Sequence, residues 1–324
     1  MLFGQLCNCE SLRDLIITIS AHPSKYYHLG LGENVSRSNL ANANEHRDYR
    51  IYQAFAYEMI ALVPIYRDCN DSDFLLDIKG NVYAFDSTTI DLCLSVFWWA
   101  TFRTTKAAIK LHTQLDVKTA IPVFVHITEA SVHDVNAMDE LIYEVDGYYI
   151  FDKGYIDFER LFFIHQSRAS FVTRAKNNLQ FERIYAAKVD KTKGIMCDQT
   201  IRLKRKQARK DYPEKWRRIK FFDAEKQRIF IFLTNNFCLP PLDIAMLYKE
   251  RWKIELFFKW IKQHLKIKSF LGNIRQRCKN TSVCCNHRLL LGCNHKSETQ
   301  NQANQLRNII PMYREVLHFL TKPS

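Results

Sequence analysis

Apolar and polar positions recur with different periods along the chain, and the change of period divides it. Residues 1 to about 68 are polar and helical in pattern, with SRSNLANANEHRDYRIYQAFAYEMIALV setting capping residues ahead of an amphipathic run. After the turn-rich CNDSDF the period shortens to two, and NVYAFDST, AIKLHTQLDV and IPVFVHIT read as successive short strands. The helical DVNAMDELIYEV, the strand YYIFD, the helix DFERLFFIHQ and the strand SFVTRAK follow. A meander giving way to strand–helix alternation predicts a mixed α/β sheet flanked by helices. From about 180 to 233 the chain turns β-rich and basic, through RLKRKQARKDYPEKWRRIK to the strand RIFIFLTNN. That stretch reads as an insertion, because the run after it, YKERWKIELFFKWIKQHLK (Tyr248–Lys266), reads as one helix with polar residues that match the earlier strands.

Those polar residues are carboxylates and cations. Asp86 follows Val82 and Ala84 on one strand face, and Asp152 follows Tyr148 and Ile150 in the same way, so each sits at the carboxyl end of an apolar strand. A lone aspartate there is most often a turn or helix cap; two raise the case for a shared site. On the helix, Tyr248, Arg251, Glu255 and Lys262 fall within roughly 60° of one another. Their stripe lies beside the apolar face formed by Leu247, Ile254, Phe258, Ile261 and Leu265. Glu255 also stands four residues from both Arg251 and Lys259, an ordinary stabilising arrangement worth a few tenths of a kcal/mol. Three carboxylates converging on one point need cations, and hard oxygen donors suit Mg²⁺ or Mn²⁺. Two such ions about 4 Å apart can serve in-line phosphoryl transfer. The neighbouring cations are then expected to hold phosphates rather than the glutamate.

The chain resembles the DDE transposases of bacterial insertion sequences and, within them, the insertion-sequence-four family. The signature Tyr-x2-Arg-x3-Glu-x6-Lys is met by Tyr248, Arg251, Glu255 and Lys262, accompanied by FDST at Asp86 and FDKGYIDFERL at Asp152. AIKLHTQLDV, IPVFVHITEASVHDVN and YPEKWRRIKFFD extend the resemblance over about residues 1 to 272. It implies an RNase H-like mixed sheet flanked by helices, with a β-rich insertion between the second Asp and the Glu. The expected organisation is a partial N-terminal helical region at 1–68, the first part of the core at 69–180, the basic insertion at 181–233, the Glu255 helix at 234–272 and an atypical tail at 273–324. The resemblance further implies Asp86, Asp152 and Glu255 as catalytic ligands of two Mg²⁺ or Mn²⁺ ions. Tyr248, Arg251 and Lys262 would contact phosphates of the transposon end, and double-stranded DNA would be both end and target. A dimer would bridge two DNA ends. Two alternatives stay open: a metal-dependent nuclease that hydrolyses without joining, and an inactive DNA-binding remnant.

Charge agrees with a polyanionic partner: the formal net charge is +13. The most basic stretch holds Lys204, Arg205, Lys206, Arg209, Lys210, Arg217 and Arg218, and of these Lys204, Arg205, Arg217 and Arg218 are taken as candidate DNA contacts. No apolar run long enough to span a membrane occurs and no secretory leader is visible, so a cytoplasmic, nucleoid-associated protein is expected. Ten cysteines then read as free thiols. His126 in its apolar strand reads as a core histidine, His133 as a cap or DNA contact, and Trp98 and Trp99 as packing or loop contacts. Cys278, Cys284, Cys285, His287, Cys293 and His295 lack the Cys-x2-Cys pair of ordinary zinc sites. Suitable codons for Gln276–Lys296, shifted by two nucleotides, encode NAVKTQVCVVTTDYFLVVIIK, which resembles the family's apolar helix after the signature. A frameshifted tail and a truncated N-terminus, the marks of a decayed copy, are therefore expected.

Overall fold

The computed structural model describes residues 9, 11–26, 35–48, 50–62, 78–92, 101–103 and 106–264. The tail from 273, with its cysteine-rich and frameshift readings, lies outside the described residues, as do Trp98 and Trp99. The chain divides into two compact units, one of residues 1–69, 90–108 and 260–324, the other of 70–89 and 109–259.

In the first unit, helix α1 (Leu12–Ser20) starts at Ser11, whose hydroxyl accepts the Asp14 N–H at 3.0 Å. Leu15 and Ile19, one turn apart, bury with Cys9 against Leu12, Tyr26 and Leu40. Ser36 caps α2 (Arg37–His46) through the Asn39 N–H, and α3 (Arg50–Leu62) follows. A short strand, β2 (Thr101–Arg103), pairs antiparallel with the first residues of β3 (Lys106–Asp116).

The second unit is built on one mixed sheet. β1 (Val82–Leu92), β3 and β4 (Ile121–Glu129) form the meander: the Val117 N–H just past β3 donates to the Val82 carbonyl, and β3 and β4 pair antiparallel. β5 (Tyr148–Phe151) lies parallel to β1 on one side and to β6 (Ser170–Arg174) on the other. Between β5 and β6 runs α4 (Phe158–Gln166), capped by Asp157. β6 pairs antiparallel with β10 (Arg228–Thr234), and β9 (Trp216–Asp223), β8 (Ile195–Leu203) and β7 (Phe181–Ala187) extend the sheet outward. The order is β3-β1-β5-β6-β10-β9-β8-β7, with β4 against β3. This is the expected mixed sheet with flanking helices, and the β-rich stretch after β6 continues it strand by strand.

Both faces of the central strands are covered, which is why YYIF is apolar throughout and why Phe171, Val172 and Thr173 of SFVTR are all buried. On one face Tyr83, Phe85, Tyr149, Phe151 and Phe171 pack with Met138, Leu161, Ile164, Tyr212 and Trp216. Tyr212 and Trp216, fully buried with ring centroids 4.7 Å apart, tie α5 (Lys206–Asp211) and the start of β9 to this core. On the opposite face Val82, Ala84, Ile150 and Val172 are buried. Over the sheet packs α6 (Pro241–Glu250), with Phe232 of β10 meeting Tyr248 at 5.0 Å between ring centroids.

Three expectations need correction. Asp86 is not at a strand end: β1 runs on to Leu92, and only its pairing with β5 stops, at Phe85 opposite Phe151. Tyr248–Lys266 is not one helix over its described part, because α6 ends at Glu250 and α7 (Trp252–His264) begins after Arg251. The chain tightens there to three-residue hydrogen bonding: the Arg251 N–H donates to the Tyr248 carbonyl and the Ile254 N–H to the Arg251 carbonyl, both at 3.2 Å. The run DVNAMDELIYEV is a 3₁₀ helix over Asp134–Glu140 only, and His133 at its N-cap makes no capping side-chain bond.

Candidate active site

Strand parity and register build the acidic cluster. Ala84 lies opposite Ile150 and Phe85 opposite Phe151, so Asp86 and Asp152 each follow the last paired residue of adjacent parallel strands, on the same face. The chain break between α6 and α7 places Arg251 over that face. Its guanidinium donates to Asp86 Oδ2 at 3.2 Å and, through its other terminal nitrogen, to Glu255 Oε1 in the first turn of α7. Asp86, Asp152 and Glu255 are thus drawn together from two strands and one helix.

Each of the two aspartates is held in place by more than one group. Asp86 Oδ1 accepts the Ser87 N–H at 2.8 Å and the Tyr155 hydroxyl at 3.5 Å. Ser87 Oγ in turn donates to Asp134 Oδ1 at 2.8 Å, and Lys110 Nζ bridges the same carboxylate oxygen and the Val132 carbonyl. Asp152 Oδ2 accepts the Gly154 N–H at 3.3 Å, so this aspartate does cap the short 3₁₀ turn Lys153–Tyr155. Its Oδ1 is taken by Arg174 at 2.8 Å and approached by the Tyr248 hydroxyl at 3.5 Å. The ring of Tyr248 lies beneath two guanidinium carbons, Arg174 at 5.7 Å and Arg251 at 5.8 Å from its centroid.

Electrostatics separates the two aspartates. Burial pushes the Asp86 carboxyl up to about 6; Ser87 and Arg251 pull against this, while Asp152 and Glu255 add to it. Burial acts the same way on Asp152, but the Arg174 guanidinium and the Gly154 amide outweigh it and hold that carboxyl below its usual range. Burial raises the Tyr248 hydroxyl to about 12, against the pull of both arginines.

The predicted site residues are brought together unequally. Asp86, Asp152, Glu255, Tyr248 and Arg251 share one cluster, and in the free chain Arg251 holds Asp86 and Glu255, the ion-pair arrangement that its four-residue spacing from Glu255 also allows. Lys262 is exposed on the part of α7 belonging to the first unit. Lys204 and Arg205 are exposed beside α5, Arg205 reaching Gln180 at 3.3 Å. Arg218 is half-buried, bonded to Gln199 and set over the Phe181 ring. Arg217 is corrected outright as a candidate DNA contact: it is buried, bidentate to the buried Asp198 at 2.9 and 2.7 Å, and donates to the Asn236 and Leu239 carbonyls. It shares a strand face with Ile219 and Phe221, which are also buried. His126 is only half-buried; among the described residues the fully buried histidine is His112, whose Nε2 meets Thr128 Oγ1 at 2.9 Å and whose imidazole pKa burial lowers to about 4.

Sequence reasoning missed Arg174 and Tyr155. Periodicity alone gave Arg174 no signal: it stands in register with Asp152 because Val172 and Thr173 lie opposite Ile150 and Phe151, a pairing that the sequence does not specify. Tyr155 had none either, because its reach to Asp86 depends on the 3₁₀ turn after β5.

The cluster has the donor chemistry of a divalent-cation site. Its donors fit in kind: three carboxylates from separate elements, close enough that Asp152 and Glu255 raise the proton affinity of Asp86. In the present arrangement, among the described residues, no three His, Cys, Asp or Glu side chains stand together as an ion's ligands. Arg251 and Arg174 supply the positive charge instead.

A mixed sheet with flanking helices thus carries two register-matched aspartates and, beside them, a helix-borne glutamate. Residues 78–283 match the family described as Transposase DDE domain, and the chain belongs to that family, which generally uses divalent metal ions. Among curated relatives, y4zB of Sinorhizobium fredii, named as a transposase, is 38% identical over 58% of this chain and 53% of its own. A protein of Geobacillus stearothermophilus named as a transposase for insertion sequence element IS5377 is 27% identical over 60% of this chain and 51% of its own. One of Synechocystis named for insertion sequence element IS4SA is 22% identical over 74% and 66%. The chain thus spans about half the length of the first two. A solved piggyBac transposase synaptic complex with hairpin DNA aligns at 9% identity and a TM-score of 0.41, over 76% of this chain and 55% of that one, and carries no weight here. No helix among the described residues is long and apolar enough to cross a membrane.

Proposed function

We propose that this chain is a transposase of the insertion-sequence-four type, cutting DNA at the ends of its element and joining the freed 3′ ends to target DNA. The observation that supports this most is the convergence of Asp86, Asp152 and Glu255 through strand register and Arg251. Asp86, Asp152 and Glu255 would hold two Mg²⁺ or Mn²⁺ ions. When bound, such ions activate an attacking oxygen and stabilise the leaving one in phosphoryl transfer. The protein's own part is positioning: Ser87 and Tyr155 fix one oxygen of Asp86, leaving the other for a cation, and Gly154 does the same for Asp152.

Tyr248, Arg251 and Lys262 would bind phosphates of the element's end. Lys204 and Arg205, exposed on the insertion, and Arg218 beside them would follow the DNA backbone; Arg217 is a structural residue and takes no part. Two subunits would bridge two ends. The test is strand transfer by the purified full chain with Mn²⁺ and the DNA flanking its gene. Joined products that vanish in Asp86→Ala support the reading. Cleavage without joining would make it a nuclease, and binding alone a DNA-binding remnant.

A further inference from the structure

The most unusual feature of the cluster is that its positive charge comes from within. Arg251 sits between Asp86 and Glu255, and Arg174 sits on Asp152, so every carboxylate of the site is occupied by a guanidinium. Neither arginine is fully used there. The Nε–H of each is buried with no acceptor among the described residues, although a buried unpaired donor is costly. A guanidinium offers paired donors to a phosphate as readily as to a carboxylate. Both also lie over the same ring, Tyr248, which can keep a guanidinium in place while its hydrogen-bond partners change.

From these contacts we infer that Arg174 and Arg251 are exchangeable counterions that couple metal loading to DNA binding. This rests on the proposed carboxylate metal site. In the free chain the arginines neutralise the carboxylates and compete with divalent cations for them. When DNA arrives, phosphate oxygens take the guanidinium donors, including the unfilled Nε–H groups, and the carboxylates become free to bind cations. Charge favours loading both together. Three carboxylates against two guanidinium groups leave one net negative charge, which cations reverse and phosphates then balance. By thermodynamic reciprocity, the metal must tighten DNA binding by the same factor as DNA tightens metal binding. The site holds metal more weakly until DNA is present. Arg174 is therefore a positioning residue, acting through Asp152.

The experiment measures Mn²⁺ binding to the full chain at pH 8 from the paramagnetic signal of free Mn²⁺, with and without a short duplex of the DNA flanking the gene. The duplex is expected to tighten Mn²⁺ roughly tenfold, within the usual range of coupling between sites. Arg174→Gln, with its competitor cation gone, should bind Mn²⁺ several-fold more tightly than wild type without DNA and respond less to the duplex. Arg174→Lys should restore the wild-type pattern. A merely structural arginine would give the reverse, Mn²⁺ weakened by Arg174→Gln, and that result overturns the exchange. So does Mn²⁺ binding in the wild-type chain that ignores the duplex, a measurement needing no variant. In that case Mn²⁺ still binds and the metal-site reading stands; no Mn²⁺ binding to any form, with or without duplex, removes both.

Discussion

Replacing Asp86 by Asn should stabilise the metal-free protein, and by an amount that depends on pH. The Asp86 carboxyl rises from 3.8 to about 6 on folding, chiefly by burial. Well below pH 4 it is protonated in both states, and Asn, which resembles the protonated form, changes little. As pH climbs from about 4 to 6 the unfolded chain ionises this group while the folded chain resists, so wild type loses stability across that interval, levelling off above 6, and Asp86→Asn does not. The shift corresponds to roughly 2 to 3 kcal/mol, fully developed above about pH 7. That figure already includes the attraction of Arg251, which keeps Glu255 as partner in the variant. Urea unfolding in EDTA at pH 4.5, 6 and 7.5 reads it as a rising midpoint difference at constant m-value. Adding Mn²⁺ should narrow the gap, because an ion held by the folded carboxylates stabilises only wild type. A variant no more stable than wild type at pH 7.5, or a gain that is the same at every pH, would refute the reasoning.

Asp152→Asn should behave oppositely. Its folded carboxyl is held below the usual range by Arg174 and Gly154, so the stability it contributes is present above the unfolded value and lost as pH falls through the folded one. The variant is therefore expected to be less stable than wild type at pH 7.5 and still so at pH 4.5, and to converge with it only well below pH 4, read by extending the urea series into acid. Arg217→Ala breaks a buried pair and leaves Asp198 without its guanidinium, which should cost about 3 to 5 kcal/mol by calorimetry or urea unfolding. Lys204→Ala with Arg205→Ala should leave stability unchanged while lowering the slope of log affinity for duplex DNA against log salt by about 0.9 for each phosphate that the variant no longer neutralises. Trp216→Ala should destabilise by roughly 3 to 5 kcal/mol, since the ring is fully buried in the core beneath the insertion.

The sheet and its acidic cluster were legible because a strand repeats every two residues. Val82 and Ala84 ahead of Asp86, and Tyr148 and Ile150 ahead of Asp152, put both carboxylates on one face before any pairing was known, and register then made them neighbours. Glu255 was legible from helical spacing and the family signature, even though the helix breaks at Arg251. What periodicity could not supply was the length of a strand beyond its pairing, so Asp86 was placed at an end rather than midway along β1. It also could not show which strands stand side by side, and without that Arg174 had no reason to be set against Asp152. Arg217 is a different case. The basic run drew attention to its charge, while the alternation of Arg217 with Ile219 and Phe221 on one strand face already indicated burial. In WRRIKFFD the period was a better guide than the composition.

The central claim, that Asp86, Asp152 and Glu255 form one metal site, can be tested without turnover. Fe²⁺ bound in place of Mn²⁺, with ascorbate and peroxide, cuts the polypeptide close to where it is held, and mass spectrometry maps the cuts. Cuts clustered near residues 86, 152 and 255, more frequent with duplex present and absent in Asp86→Asn, are the predicted result. Cuts concentrated elsewhere, or a pattern near these residues that survives Asp86→Asn unchanged, would contradict it.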